Sequence, residues 1–213
     1  PLSRVDARLK VTGAATYAAD NTIPDLLYAK LVGSTVALGS VQGIDVSAAR
    51  EHPGVIDVIT DFAGVTLPHS PPRFFYYKQP VAVVVATSAE SAAHGATLVT
   101  VRYGSQSAPL TDVDAPQAVS MPGTTVADYS RGDADAALAA ASVTSDRDYS
   151  IARHLHHPME LAATVARWDG DRLTVWDKTQ GITAAVQAYA EAFGIPEENV
   201  RVISPFVGGA FGQ

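Results

Sequence analysis

The sequence predicts an α+β fold built in two parts, and three observations carry that prediction. Short apolar, β-branched runs at 27–32, 55–60, 81–86 and 98–103 are interleaved with stretches of helical character. Asp169-Gly170 stands between two further strand-like runs, which is a strong hairpin signal. Between these two sets lies a stretch from about 105 to 133, rich in Pro, Ser, Thr, Asp and Gly and without sustained periodicity.

In the first part, residues 27–32 and 55–60 read as strands, with a short helix over 45–51 between them that His52-Pro53-Gly54 ends. The unbroken apolar run at 81–86 suits a strand covered on both faces. Thr87, with Glu90 three residues on, makes a capping box for a following helix. Residues 98–103 alternate well enough for a half-exposed strand. The unit closes near residue 107, and 108–145 reads as a connector that carries a short alanine-rich helix over 133–141. Beyond it, 162–168 and 173–177 flank Asp169-Gly170 and predict a two-stranded ribbon. Ile182, Val186, Tyr189 and Phe193 mark one face of a helix that ends at Gly194, and Pro196 blocks its continuation. A final strand over 200–204 runs into Val207-Gly208-Gly209-Ala210-Phe211-Gly212. No internal repeat is visible.

Composition narrows the function classes. With 213 residues, 47% hydrophobic and 17% charged, the chain is long and apolar enough to bury a core. A formal charge of -7 and the lack of any Lys/Arg cluster argue against nucleic acid as a partner. The absence of cysteine excludes disulfides, thiolate metal ligands, a cysteine nucleophile and iron–sulfur ligation from this chain, so any redox centre is borrowed. Residues 1–10 lack a signal-peptide core and an initiator Met, which predicts a chain cut from something longer or processed. The longest apolar run, 81–86, falls far short of the roughly 20 residues of a membrane span.

Few residues invite chemistry. The glycines at 208, 209 and 212 let backbone N–H groups approach a ligand, and such a loop suits an anionic cofactor; taken alone, the cluster reads first as a plain turn. Its spacing is not that of a dinucleotide-binding fingerprint, which disfavours a nicotinamide dehydrogenase. Gln180 follows a strand, where its amide can donate and accept at once, as an oxo-metal neighbour or as a solvated turn residue. His154, His156 and His157 precede Glu160, but 154 and 156 share one strand face while 157 points away, and helical zinc-site spacing is missing; structural histidines are the better account. Asp133, Asp135, Glu197 and Glu198 stand where helix caps want carboxylates. No Ser is flanked as in a nucleophile elbow.

Read together and in order, several segments resemble the molybdenum-binding large subunit of the xanthine dehydrogenase and aldehyde oxidase family. Arg4-Val5-Asp6-Ala7, Lys10-Val11-Thr12-Gly13 and Tyr17-Ala18-Ala19-Asp20 are similar to its opening. Pro53-Gly54-Val55 and Gln79-Pro80-Val81-Ala82-Val83-Val84-Val85-Ala86 resemble its α/β-hammerhead domain. His157-Pro158-Met159-Glu160, Trp168-Asp169-Gly170-Asp171, Thr179-Gln180 and the 207–212 loop resemble the start of its molybdopterin-binding domain. The resemblance implies a hammerhead domain over 1–107, a connector over 108–145 and a truncated molybdopterin-binding domain over 146–213.

It also implies a molybdenum ion on a pterin dithiolene, in an oxidoreductase that hydroxylates aldehydes or aromatic heterocycles with oxygen from water. Gln180 matches the glutamine beside the metal's oxo group, and Gly208, Gly209, Ala210, Phe211 and Gly212 match the loop bordering molybdenum and pterin. The resemblance places no catalytic residue and no protein metal ligand in this chain, because the family's catalytic glutamate lies beyond Gln213. Implied partners are the remaining part of the molybdenum subunit, an iron–sulfur subunit with 2Fe-2S clusters and an FAD subunit. The cytoplasm is the expected location, with the periplasm as the alternative if the subunit travels folded with a signal-bearing partner. Ala210 departs from the family loop, where a third glycine is common, and matches the branch resembling periplasmic aldehyde oxidoreductases. A non-catalytic subunit-assembly module is the alternative reading; in it the glycine loop is only a turn.

Overall fold

A computed structural model describes residues 2–65, 73–104, 131–152 and 154–212. The segments Pro1–Pro109 and His156–Gln213 form one unit, and Leu110–Leu155 forms a second.

The larger unit opens with α1 (Ala7–Val11), where the Asp6 carboxylate meets Lys10 Nζ at 2.8 Å one turn along. That Lys10 hydrogen bond, and its charge, hold the Asp6 carboxyl below its ordinary range. Next come β1 (Tyr28–Gly33), β2 (Gly39–Asp45), α2 (Ser47–Glu51), β3 (Val55–Ile59), β4 (Arg73–Phe74), β5 (Pro80–Ala86), α3 (Ala89–Leu98) and β6 (Thr100–Tyr103). The apolar run of β5 is central, antiparallel to β1 on one side and β3 on the other. Val81, Ala82, Val84 and Ala86 are buried along it, as an unbroken apolar strand predicts. Helix α3 settles against this sheet at Gly95, where a Cβ would stand 2.9 Å from Val55 Cγ2 and 3.0 Å from Val84 Cγ1. Ala49, Val58, Ala82 and Val84 form the core here, flanked by Val32, Val46, Val55, Ala96, Leu98 and Val99.

A second sheet, ordered β4-β2-β6, was not visible in the sequence. Strand β2 carries Gly39, Gln42 and Gly43, and its pairing with β6 slips between Val41 and Gly43, so neither composition nor alternation marks it. Two further expectations need correction. The cap of α3 is Ser88, whose hydroxyl accepts the Ser91 N–H at 3.1 Å, whereas Thr87 donates its backbone N–H to the Gly54 carbonyl at 2.8 Å. Leu98 ends α3 instead of opening a strand. The Gln79 side chain is wholly buried and satisfied: its Nε2 donates to the Arg73 carbonyl and its Oε1 accepts the Phe75 N–H, each at 3.0 Å.

In the smaller unit, the described residues include α4 (Ala134–Ala140), capped as expected by Asp133, whose Oδ1 accepts the Ala136 N–H at 2.9 Å. Residues 108–130 of the expected connector lie outside the described residues.

The larger unit resumes with β7 (Thr164–Asp169), β8 (Arg172–Asp177), α5 (Ile182–Phe193) and β9 (Val200–Ile203). The hairpin forms one residue later than Asp169-Gly170 suggested. Asp169 pairs with Arg172, so the loop is Gly170-Asp171, with only Gly170 left-handed, at φ +61°. The expected two-stranded ribbon is instead a three-stranded mixed sheet, because β9 joins β8 in parallel after the α5 crossover. Leu173, Val175, Ala190, Val200 and Val202 form its core, with Val186 and Tyr189 of α5 packed on it. Burying a side chain the size of Leu173 or Val175 contributes about 1.5–3 kcal/mol. Ile182 and Phe193, at the ends of the predicted helix face, remain exposed. Gly194 ends α5 at φ +63°, as its place in the sequence foretold. Burial pushes the Tyr189 phenol up, the Asp177 charge adds to this, and a Thr164 hydrogen bond partly offsets it. Among the described residues no helix is long and apolar enough to cross a membrane.

Candidate functional site

Parallel neighbours in a sheet send their carboxyl ends out along the same edge, and β8 and β9 do so with Trp176 opposite Ile203. Thr179-Gln180 leaves one strand and Ser204 to Gly212 leaves the other, so two segments distant in sequence face one opening. The hydroxyl of Ser204 donates to the Thr179 carbonyl at 3.5 Å, and the Gly181 N–H donates to Thr179 Oγ1 at 3.1 Å. A cavity of about 620 Å³ results, lined by Thr179, Gln180, Ile182, Ser204 and Val207 to Phe211. Gln180, Gly208, Gly209, Ala210 and Phe211 are thus brought together, while Gly212, at φ +92°, stands outside this lining.

The glycines at 208 and 209 answer to close approach. A Cβ on Gly208 would lie 2.8 Å from Glu160 Cβ, and one on Gly209 would lie 2.9 Å from the Phe211 ring and 3.2 Å from Pro158 Cβ. Phe211 adopts φ +54°, a left-handed conformation that costs a non-glycine residue about 1–2 kcal/mol. Such strain collects where a loop's shape matters more than its stability. Among the described residues, the N–H groups of Gly209, Ala210 and Phe211 make no hydrogen bond, whereas that of Gly208 donates to Glu160 Oε2 at 2.6 Å. Three successive open donors on a glycine-rich turn form a surface for an anionic group.

A second cavity, of about 860 Å³, shares Gly208, Gly209 and Phe211 with the first. Its further lining includes Lys10, Tyr17, Asp20, His157, Met159 and Glu160. Lys10 Nζ donates to the Val207 carbonyl at 3.4 Å, and the Tyr17 and Phe206 rings stand 6.2 Å apart. The glycine loop therefore lines both cavities. The roles of Lys10, Tyr17 and Glu160 escaped sequence reasoning, since each acts through a contact far along the chain. Of the described histidines, only His157 lines this cavity, and among the described residues no group of three His, Asp or Glu side chains is arranged to hold a metal ion.

Residues 12–107 match the family described as aldehyde oxidase and xanthine dehydrogenase, a/b hammerhead domain, and residues 117–213 match the molybdopterin cofactor-binding domain. The chain is 36% identical to the aldehyde oxidoreductase molybdenum-binding subunit PaoC of Escherichia coli over 223 residues, covering all of this chain and 30% of that protein. It is 31% identical to the nicotine 6-hydroxylase large subunit of Paenarthrobacter nicotinovorans, covering 98% of this chain and 29% of that one. Among solved structures, the CO dehydrogenase from Oligotropha carboxidovorans superposes with a TM-score of 0.78 at 27% identity, over 99% of this chain and 31% of that one. The chain spans about 30% of the length of these relatives. The architecture is accordingly a hammerhead domain followed by the first part of a molybdopterin-binding α+β domain. With both domain types matched in order, and with relatives that are molybdenum-binding subunits, the chain belongs to the large subunit of the xanthine dehydrogenase and aldehyde oxidase family of molybdenum hydroxylases.

Proposed function

We propose that this chain lends one wall of the cofactor site to a molybdenum-dependent oxidoreductase that hydroxylates a carbon centre with oxygen from water. The observation that carries this is the 620 Å³ cavity that joins Gln180 to a glycine loop with three open N–H groups. Those residues fit a molybdenum–pterin cofactor. It is anionic through its dithiolene and phosphate, and backbone donors hold such groups without bringing a competing side-chain charge. When bound, the cofactor supplies the two-electron redox centre and the oxygen that is transferred. Gln180, Gly208, Gly209, Ala210, Phe211 and Gly212 are the residues of this chain that we assign to it. A Gln180 amide can donate to an oxo ligand and accept from a water or substrate N–H, whichever face it presents.

The domain limits 1–107, 108–145 and 146–213 belong to the same reading, and the matches over 12–107 and 117–213 support them. Aldehydes are the favoured substrates, since the 36% identical relative is named an aldehyde oxidoreductase; aromatic heterocycles follow from the nicotine hydroxylase likeness. Electrons would leave through 2Fe-2S clusters and FAD carried by partner chains, in keeping with a sequence that has no cysteine. The cytoplasm is the proposed location. The test is the molybdenum and pterin content of the natural gene product, purified with whatever accompanies it, together with aldehyde-dependent reduction of an electron-accepting dye. Near-stoichiometric molybdenum and dye reduction are expected. A product without molybdenum would overturn the proposal in favour of an assembly module.

A further inference from the structure

Glu160 stands just before the third sheet, at the end of the His157-Pro158-Met159-Glu160 segment, and the sequence assigns it no role of its own. In the fold it is bonded in two directions. Its backbone carbonyl accepts from Lys178 Nζ at 2.7 Å, two residues before Gln180. Its Oε2 accepts the Gly208 N–H at 2.6 Å, at the start of the glycine loop. One residue therefore ties together the two segments that wall the 620 Å³ cavity. Its other carboxylate oxygen, Oε1, is fully buried and has no hydrogen-bond partner. The residue as a whole is partly exposed, and leaving one of its oxygens buried without a partner is a cost that sets it apart from an ordinary surface carboxylate.

We infer that Glu160 is a positioning residue, which holds the glycine loop at a set distance from Gln180 and keeps the Gly208 N–H out of the ligand's reach. The open donors are then confined to Gly209, Ala210 and Phe211, and their direction is fixed by a bond at the loop's first residue. A carboxylate suits this task because it accepts strongly from a backbone N–H. It is a poor direct contact for an anionic group, so it acts through the loop. The inference rests on the functional reading above, in which that loop meets the molybdenum–pterin cofactor.

The experiment compares Glu160→Gln, Glu160→Ala and Glu160→Met in the natural gene product, assembled with its own partners. Gln keeps an acceptor for Gly208, Ala removes it, and Met removes it while filling the volume with an apolar chain. Three quantities are read: molybdenum and pterin content, the Mo(V) electron paramagnetic resonance spectrum, and the melting temperature of cofactor-free protein. Glu160→Ala and Glu160→Met are expected to lower cofactor affinity by roughly 10- to 100-fold, as loss of a group that orients a metal site does. Any residual Mo(V) signal should be altered in shape. Glu160→Gln is expected to restore both content and spectrum, and cofactor-free Glu160→Met should keep a single cooperative melting transition, lowered only by what the lost Gly208 bond contributes. Full occupancy with an unaltered spectrum in Glu160→Ala would overturn the inference, as would Glu160→Gln as empty as Glu160→Ala. Loss of the fold in all three variants assigns Glu160 to structure alone and overturns it too. These outcomes leave the functional reading standing, whereas wild-type protein devoid of molybdenum refutes that reading and this one together.

Discussion

Replacing Gly208 with alanine puts the loop's anchoring to a direct test. The added Cβ would meet Glu160 Cβ at 2.8 Å and Oε2 at 3.1 Å. Carbon atoms prefer about 3.5–4.0 Å, so one segment must retreat by about 1 Å. That displacement opens the 2.6 Å bond from the Gly208 N–H to Glu160 Oε2. A hydrogen bond to a charged group contributes about 1.5–3 kcal/mol, and 1.4 kcal/mol is a factor of ten. The amide at position 208 in Gly208→Ala is therefore expected to exchange its hydrogen roughly 10- to 100-fold faster than in wild type. Amide exchange followed by mass spectrometry or NMR reads this directly. The control is Gly181→Ala, where a Cβ would rest at an ordinary 3.8 Å from Ala184 Cβ and φ is -136°, open to any residue. Its exchange at position 208 should match wild type, even though alanine is the poorer N-cap for α5 and should cost about 0.5–1 kcal/mol. Unchanged protection at 208 in Gly208→Ala would refute the claim that Glu160 pins the loop through this bond, and an equal rise in Gly181→Ala would show that the loop merely responds to any nearby substitution.

Other expectations follow from the packing. Leu173→Ala, in the core of the third sheet, should cost about 2–5 kcal/mol by denaturant unfolding. Gly95→Ala gains helix propensity but drives a methyl against Val55 and Val84, and a net loss of about 1 kcal/mol is expected in the same assay. Gly194→Ala should cost about 1–2 kcal/mol, because the residue holds φ +63°; a neutral result by thermal melting would contradict the left-handed cap. The Tyr189 phenol is pushed above 10.0 in the fold, so the neutral form is favoured there. Its contribution is present in full below the unfolded value of about 10 and is lost as pH rises through the folded value. An ultraviolet titration should show Tyr189 ionising later in folded than in unfolded protein.

What could be read from the sequence was whatever the nearest neighbours decide. The apolar run of β5, the capping Asp133 and the terminal Gly194 each declare themselves within a few residues, because strand burial, an N-cap and a left-handed stop are local demands. Strand β2 did not, since its partners β4 and β6 lie far along the chain and its pairing with β6 slips between Val41 and Gly43. The hairpin slipped by one residue because Asp169-Gly170 and Gly170-Asp171 are both acceptable turns, and the pairing of Asp169 with Arg172 chose between them. The same division runs through the site. The glycine loop and Gln180 stood out as residue types, but their sharing of one cavity depends on β9 pairing in parallel with β8. Glu160 stood in a recognisable segment, but its bond to Gly208 spans 48 residues and is not legible in sequence.

The parallel pairing of β8 with β9 also makes the cavity a check on assembly. A slip of one residue between the two strands would move Ser204 to Gly212 along the sheet edge by about 3.3 Å and turn the side chains of β9 to the opposite face. The hydrophobic pattern of Val200 and Val202 forbids this, since both must enter the core beside Leu173 and Val175. A chain with any other alignment would bury the wrong residues and present the two walls at the wrong separation. Only protein whose sheet has closed in the correct alignment offers both walls at once, so the binding surface itself discriminates finished molecules from unfinished ones.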